Sequence, residues 1–265
     1  MKVVIFAVIL SLSALSGCGS DEPTTDTSAA DVVHTDTAPT PVELTNALTV
    51  TDFVSQEPIE GVTLCTNIEG AECVTTDAAG KASFTASVVP GQLIQLRADK
   101  DGYFGFLSEG IIPEGVEAGT LETSWPMAGA GVIDLIVGAL ETEVDETKGH
   151  FTVVVVGPEG DGGERPFMEG ATVTATGNAQ AGPKYLQPAG DISAGLFGDD
   201  AAGTTSAGLA AFFNVDVGTV DLTVTLAGHD CSVGGSGLPS DTGSARATIE
   251  AGRATYIAVI CEPTP

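Results

Sequence analysis

Apolar and polar residues alternate with a period of two over several short stretches of the chain. The clearest stretch covers residues 220–226, where every second residue is Val or Leu and the residues between them are Asp or Thr. Shorter examples are residues 62–64, 94–98 and 171–173. A period of two places successive side chains on opposite faces of a β-strand, so these segments are predicted to be strands with one buried face.

The segment between two groups of predicted strands has a different period. Its apolar residues recur at three- and four-residue steps: Val132, Ile133, Ile136, Leu140 and Val144. This spacing predicts one amphipathic helix, with Ser124 as a cap near its start and Gly149 closing its end. The competing interpretation is a buried strand over residues 132–137.

The chain also contains an internal duplication. Residues 59–64 (IEGVTL) match residues 168–173 (MEGATV), and residues 76–84 (TDAAGKASF) match residues 204–212 (TTSAGLAAF). Two shorter blocks follow in the same order, one around Gly91 and Gly218 and one at Gly102 and Gly228. Repeats of this kind predict two copies of one structural unit.

Each copy is predicted to contain a tight hairpin turn followed by a core residue. Gly80 and Gly208 are the turn glycines, because glycine adopts positive φ without steric cost. Phe84 and Phe212 come four residues later and are expected to place an aromatic ring in the core.

Length and composition agree with this pattern. The chain has 265 residues with 34 Gly, 14 Pro and only 17% charged residues, as expected for many short strands joined by tight turns. We therefore predict an all-β fold of two tandem antiparallel β-sandwich domains with one short connecting helix. The predicted ranges are residues 45–125 for the first sandwich, 126–148 for the helix and 149–265 for the second sandwich.

The amino terminus has the features of an export signal. Lys2 precedes a short apolar run over residues 3–12, which is too short to span a bilayer, and the run leads to Leu15-Ser16-Gly17-Cys18. This segment resembles the lipobox of bacterial lipoproteins. The resemblance implies that residues 1–17 are a signal peptide and that Cys18 is lipidated on sulfur. The alternative is an ordinary secretory signal with an incidental cysteine.

The resemblance also implies a location. The protein is expected in the bacterial cell envelope, bound to the membrane through a lipid anchor on Cys18. Gly19, rather than Asp, follows Cys18, which is similar to outer-membrane sorting in enteric bacteria, so the outer membrane is the expected site. Residues 18–44 are rich in Asp, Thr and Pro and are predicted to be a lipidated, disordered tether with a reach of about 25–30 Å.

The charge of the chain is strongly negative. Nine Lys and Arg stand against 36 Asp and Glu, a formal net charge of −27. Such a field repels the phosphate backbone, so nucleic acid is not an expected partner.

Four cysteines remain besides Cys18, and four allow three pairings. Cys65 and Cys73 flank seven residues rich in turn formers, so they are predicted to face each other across a hairpin, which leaves Cys231 to pair with Cys261. Disulfides are the expected state in an oxidising, exported location. The three histidines are scattered and complete no zinc spacing, so we predict no metal site and no cofactor.

The duplicated blocks resemble a known family. Residues 58–63 (PIEGVT), residues 76–84, Pro90-Gly91 and Gly102-Tyr103 are similar to the carboxypeptidase regulatory-like domain. The resemblance covers residues 45–110 and 150–262, with an insertion at about 177–203 in the second copy. It implies a transthyretin- or immunoglobulin-like sandwich, and it implies no peptidase activity.

Candidate chemistry is sparse. Asp99-Lys100-Asp101-Gly102 has only part of a calcium-loop pattern and is interpreted as a turn. Gly234-Gly235-Ser236-Gly237 lacks the strand–turn–helix setting of a serine nucleophile and is interpreted as a flexible loop. Trp125 is expected to be a packing residue at a domain junction.

Three residues of the insertion are candidate binding residues: Tyr185, Asp199 and Asp200. Tyr103 is a further aromatic candidate for sugar stacking. We therefore expect a non-catalytic envelope lipoprotein that acts through binding, adhesion or structural presentation, with a protein or polysaccharide as its partner. The alternative is an accessory module of an envelope enzyme or transporter complex.

Overall fold

A computed structural model describes residues 40–160, 163–176, 179–187, 197–198 and 202–264. Within these ranges the elements follow in this order: β1 (Val42–Asp52), β2 (Thr63–Thr66), β3 (Val74–Thr75), β4 (Lys81–Val88), β5 (Leu93–Asp99), β6 (Gly105–Ile111), β7 (Gly119–Met127), α1 (Ala130–Ala139), β8 (Gly149–Val156), β9 (Thr172–Ala175), β10 (Ala179–Leu186), β11 (Phe197–Gly198), β12 (Leu209–Val215), β13 (Gly218–Thr225), β14 (His229–Val233), β15 (Ala245–Ile249) and β16 (Arg253–Pro263).

The first copy is a sandwich of two sheets. One sheet has the strand order β4-β1-β7, and the facing strands have the order β3-β2-β5-β6. Leu48 and Val50 of the first sheet pack against Leu64 and Ala98 of the second, and Trp125 fills the space between them. Alternation in β1 and β5 supplies these inward-facing residues, as the period of two predicts.

The second copy repeats this arrangement. Its main sheet contains β10-β12-β8-β16, and the facing sheet has the order β15-β13-β9. The ring of Phe151 stacks on that of Phe212 with 4.4 Å between centroids, and Val220, Leu222 and Val224 cover them from the facing sheet. The apolar residues Val220, Leu222 and Val224 of the alternating segment therefore form the inner face of β13. The predicted aromatic anchor Phe212 lies in the same core.

The predicted all-β class with β-sandwich layers and one short helix is confirmed. Not all strands pair antiparallel, however. β1 pairs with β7 in parallel, and β8 pairs with β16 in parallel, so the first and last strands of each copy lie side by side. The hairpin pattern of the sequence predicted only antiparallel neighbours, because strands distant in sequence leave no local signal.

The duplication is preserved in the hydrogen bonds. The buried hydroxyl of Thr76 donates to the Ile59 carbonyl oxygen at 2.7 Å and accepts the Val62 N–H at 2.9 Å. Thr204 makes the same two bonds in the second copy, to the Met168 carbonyl oxygen and from the Ala171 N–H. The matched sequence blocks thus encode one buried threonine bridge that joins two loops in each copy.

Gly80 and Gly208 lie in tight turns, as predicted, but these turns do not close hairpins. β4 after Gly80 pairs with β1, and β12 after Gly208 pairs with β8 and β10, so neither strand pairs with the strand before its turn. Gly80 and Gly208 have φ values of +69° and +62°. Each glycine carbonyl oxygen accepts an N–H from the first strand of its own copy, from Val50 at 2.8 Å and from Val155 at 2.7 Å. A Cβ at either glycine would run into that strand's backbone, so both conformation and space require glycine.

The connecting helix is real but shorter than the predicted segment. α1 covers ten residues and follows Gly129, which caps it without a side-chain hydrogen bond. Ser124 is not a cap, because it lies within β7, and Gly149 is the first residue of β8. The strand β7 continues to Met127 because it pairs with β1 over that whole length, and tertiary pairing overrides a local capping preference.

Both predicted disulfides are confirmed. Cys65 is bonded to Cys73, and Cys231 to Cys261. The second bridge joins β14 to β16 at directly paired positions. Closing its loop of 30 residues is worth about 3–4 kcal/mol in the chain-entropy account.

Candidate functional site

The most distinctive feature of the fold is the junction between the two copies. β6 of the first copy pairs in parallel with β16 of the second, with Arg253 opposite Gly105 and Tyr256 opposite Ser108. The β2-β5-β6 strands therefore continue directly into the main sheet of the second copy. Backbone hydrogen bonds cross the predicted domain boundary, so the two sandwiches share one sheet.

Four charged side chains reinforce the shared sheet at one end. The guanidinium of Arg97 donates to both carboxylate oxygens of Glu250, at 3.0 and 3.1 Å through Nε. Arg253 contacts Glu250 at 3.1 Å and reaches across the junction to Asp99 at 2.7 Å. The Arg97 hydrogen bond, helped by the charge of Arg253, holds the pKa of the Glu250 carboxyl below its usual range. Each arginine of this network therefore binds a carboxylate of the other copy: Arg97 binds Glu250, and Arg253 binds Asp99.

A buried carboxylate joins the copies at the other end of β6. Glu109 is 2% exposed, and its Oε1 accepts the backbone N–H of Thr248 at 2.6 Å. Its Oε2 accepts the side-chain amide of Gln95 at 3.1 Å, and its backbone carbonyl accepts the Gly237 N–H at 2.7 Å. A buried carboxylate requires such donors, and the second copy supplies one of them, the Thr248 N–H, as well as the Gly237 N–H on the Glu109 backbone carbonyl.

An apolar cavity of about 110 Å³ lies between the copies. Its floor is the outer face of the main sheet of the second copy, and α1 closes one side with Ile133 and Ile136. Six of the chain's ten phenylalanines line it: Phe53, Phe104, Phe106, Phe167, Phe197 and Phe213. Tyr256 of β16 adds a seventh aromatic ring, and burial raises the pKa of its hydroxyl, which keeps the phenol neutral. No charged side chain is among the described residues that line this cavity.

A buried histidine lies beside this cavity. His150 is 3% exposed, and its ring packs edge-on against Phe104 at 4.8 Å and against Phe213 at 5.7 Å. Its Nδ1 accepts the Asn214 N–H at 3.2 Å, so the neutral ring carries its hydrogen on Nε2. The described residues offer Nε2 no hydrogen-bond partner. Burial lowers the pKa of His150 to about 4.

The structure does not support Tyr185 as a surface binding residue. Tyr185 lies in β10, is 5% exposed, and its hydroxyl accepts the Val173 N–H at 3.1 Å in the second core. The insertion is therefore partly built into the sandwich, because β10 pairs with β12. Asp199 and Asp200 lie outside the described residues, and so does the lipidation residue Cys18.

The other candidate residues are structural. Trp125 is 1% exposed and packs on Phe106 at 5.0 Å, which confirms the packing interpretation. Asp99 of the calcium-like segment pairs with Arg253, and the segment forms a turn closed by the Tyr103 N–H on the Lys100 carbonyl oxygen at 3.1 Å. Tyr103 packs against the first core. No group of three potential metal ligands occurs within the described ranges.

The interpretation of residues 234–237 as a flexible loop was wrong. Ser236 is 5% exposed, and its hydroxyl donates to the Tyr256 carbonyl oxygen at 2.8 Å and contacts Ser108 of the first copy at 3.2 Å. The loop packs on the junction because Gly110 of β6 has no side chain there: a Cβ on Gly110 would approach the Gly235 carbonyl oxygen to 2.8 Å. Glycine here serves close packing rather than mobility.

Sequence reasoning missed the junction altogether. The scarcity of basic residues was one usable signal, because the chain has only nine Lys and Arg. Arg97 and Arg253 both lie in strands, where an arginine needs an acidic partner. The clustering of phenylalanines has no sequence signal, because they come from five separate segments of the chain.

Comparisons with known proteins add little to this geometry. No protein-family model matches the chain, and no curated protein matches it. Among solved structures, the chain is similar to the TIE protein of Bacillus anthracis (14% identity, TM-score 0.26), covering 84% of this chain and 34% of that one. The chain thus spans about a third of the TIE protein.

Two pilins are similar at the same level. The minor pilin GBS52 of Streptococcus agalactiae has 15% identity and a TM-score of 0.27, with 84% of this chain and 97% of that chain covered. The shaft pilin SpaA of Lactobacillus rhamnosus GG has 12% identity and a TM-score of 0.24, covering 85% and 99%. These scores are too low to support an argument, so the sandwich assignment rests on the strand pairings themselves. No helix within the described ranges is long and apolar enough to cross a bilayer.

Proposed function

We propose that this protein is a non-catalytic lipoprotein of the bacterial cell envelope that presents two fused β-sandwiches to a protein or polysaccharide partner. The lipobox residues 15–18 support the anchor, with Cys18 acylated and the outer membrane as its site. The polar, proline-containing segment that follows supports a tether between the membrane and the folded body.

The observation that carries this proposal is the shared sheet at the junction. Two sandwiches joined by a flexible linker would change their relative orientation freely. Here β6–β16 pairing, the Arg97–Glu250 pair and the buried Glu109 all bind one copy to the other. A single stiff body suits a role in presenting a surface at a defined distance and orientation.

The chemistry of the junction supports a role without catalysis. Acid–base and nucleophilic catalysis need titratable or activated groups that converge on one open site. The cavity walls offer apolar side chains, and the junction carboxylates Glu109 and Glu250 are already occupied by protein donors.

Hydrogen exchange tests the shared sheet. We expect the amides of β6 that face β16, and those of β16 that face β6, to exchange as slowly as the amides that β16 shares with β8. Fast exchange of these junction amides, with slow exchange of the amides between β6 and β5 and between β16 and β8, would show two independent sandwiches and contradict the proposal.

Metabolic labelling tests the anchor. A Cys18→Ala variant should lose radiolabelled palmitate and move from the detergent phase to the aqueous phase of a Triton X-114 partition. Ser20→Ala, two residues beyond the lipobox cysteine, is the matched control and should keep both. Retention of label in Cys18→Ala would refute lipidation at this residue.

A charge-matched pair of variants tests the insertion as the binding region. Asp199→Asn with Asp200→Asn should reduce partner recovery in a crosslinking pull-down from whole envelopes. The control pair Glu114→Gln with Glu117→Gln removes the same charge from exposed positions in the first copy and should leave recovery unchanged. Equal recovery from both pairs removes these two aspartates from the proposal.

A further inference from the structure

The cavity between the copies has the composition of a binding site for a small uncharged molecule. Six phenylalanines and Tyr256 surround it, whereas the chain as a whole is only 5% aromatic. The rings come from β6, β11, β12, β16 and three connecting segments. Both copies contribute, so the cavity exists only when the junction is formed.

Its size limits what it can hold. The volume is about 110 Å³, somewhat below the roughly 150 Å³ of an apolar cavity that stays dry and takes up benzene or xenon. One aromatic ring or a short branched alkane fits such a space.

The wall chemistry limits the ligand further. No carboxylate, amine or guanidinium is found among the described lining residues, so a charged ligand would lose its hydration without compensation. The lining residues with hydroxyl groups are Thr152, Thr255 and Tyr256, and the Thr255 hydroxyl already donates to the Thr248 carbonyl oxygen at 2.7 Å. Burial raises the pKa of the Tyr256 phenol, so the hydroxyl is neutral and can donate one hydrogen bond to a ligand and accept another.

We propose that the interdomain cavity is a binding site for a small, neutral, apolar ligand of single-ring size, such as a benzene or phenol derivative. Aromatic rings on several sides favour edge-to-face and offset contacts with a ring ligand. The proposal requires neither lipidation nor a partner that binds Asp199 and Asp200.

Ligand titration by NMR tests the proposal, with benzene and phenol as the probes and benzoate as the charged control. We expect saturable shifts for the amides of Phe104, Ala254 and Phe213 with benzene and with phenol, and none with benzoate. Xenon under pressure should give a second, independent signal at the same residues. Absence of saturable shifts with benzene, phenol and xenon would overturn the proposal.

A filling variant tests the location. Ala254 lies in β16 and lines the cavity, so Ala254→Leu should place a larger side chain inside it and weaken benzene binding at least tenfold. Ala118→Leu, the same change at an exposed loop position, is the matched control and should bind as the unchanged protein does.

Misfolding of the filling variant is recognised separately. A cooperative melt and unchanged amide shifts in the second core show that Ala254→Leu is folded. Should it fail to fold, Ala211→Val fills the same cavity from β12 with a smaller increase in volume. Undiminished benzene binding in a folded filling variant would place the ligand elsewhere and refute the assignment.

Discussion

Acidification should lower the free energy of unfolding of this protein through one buried side chain, His150. The folded state lowers the pKa of its ring to about 4, because the ring is buried between Phe104 and Phe213. In the unfolded chain a histidine titrates near about 6.5. Between these two values the unfolded state binds a proton that the folded state does not, so the free energy of unfolding falls as the pH falls.

The size of the effect follows from the two pKa values. Proton linkage gives a loss of about 2 kcal/mol between pH 7 and pH 5, and about 3 kcal/mol by pH 4. The carboxyl groups of Glu250, Asp221 and Asp145 also have lowered pKa values, but their contribution is lost mainly below about pH 5. The interval from pH 7 to pH 5 therefore reports chiefly on His150.

Urea unfolding at several pH values measures this loss. The matched variant is His150→Asn, which does not titrate and whose Oδ1 takes the place of Nδ1 as an acceptor for the Asn214 N–H. We expect the unchanged protein to lose about 2 kcal/mol more than the variant between pH 7 and pH 5. Taking the difference cancels the general effect of the −27 net charge, which changes alike in both proteins. Equal losses in the two proteins would refute the assignment of a buried, neutral His150.

Three further substitutions test the packing of the sandwiches, each by equilibrium unfolding. Gly80→Ala should lower the free energy of unfolding by about 2–5 kcal/mol, because positive φ adds strain and the new Cβ meets the Val50 carbonyl oxygen. The control Gly91→Ala has a similar φ but open space around it, so it should lower stability by only about 1–2 kcal/mol. Equal losses in the two variants would contradict the close contact at Gly80. Replacing Cys231 and Cys261 together by Ser should lower stability by about 3–4 kcal/mol, and a loss below about 1 kcal/mol would show that the bridge does not constrain the unfolded chain. Trp125→Ala should cost about 3–5 kcal/mol, while a surface-like cost under about 1 kcal/mol would argue against its burial between the sheets.

The two cores were largely predictable, since local patterns encode them. Alternation over residues 220–226 placed Leu222 and Val224 on the inner face of β13, and the turn at Gly208 placed Phe212 in the second core. Both disulfides followed from cysteine spacing. These features depend on residues close together in sequence, or on a pattern repeated within one strand.

The candidate site was not predictable, because its parts are distant in sequence. Arg97 and Glu250 are separated by 153 residues, and no periodicity relates them. Tyr185 illustrates the opposite error: an aromatic residue in an insertion suggested a surface role, whereas pairing of β10 with β12 carries its ring into the core.

By itself, the sequence determined the repeated β-sandwich unit, the turn glycines and the disulfide pairing, because each depends on local chain geometry. The tertiary structure alone decided that β6 and β16 form one sheet, that Glu109 and the arginines bind one copy to the other, and that six phenylalanines line one cavity. The physical reason is that contacts between copies depend on how two finished surfaces fit, and that fit is a property of the assembled chain.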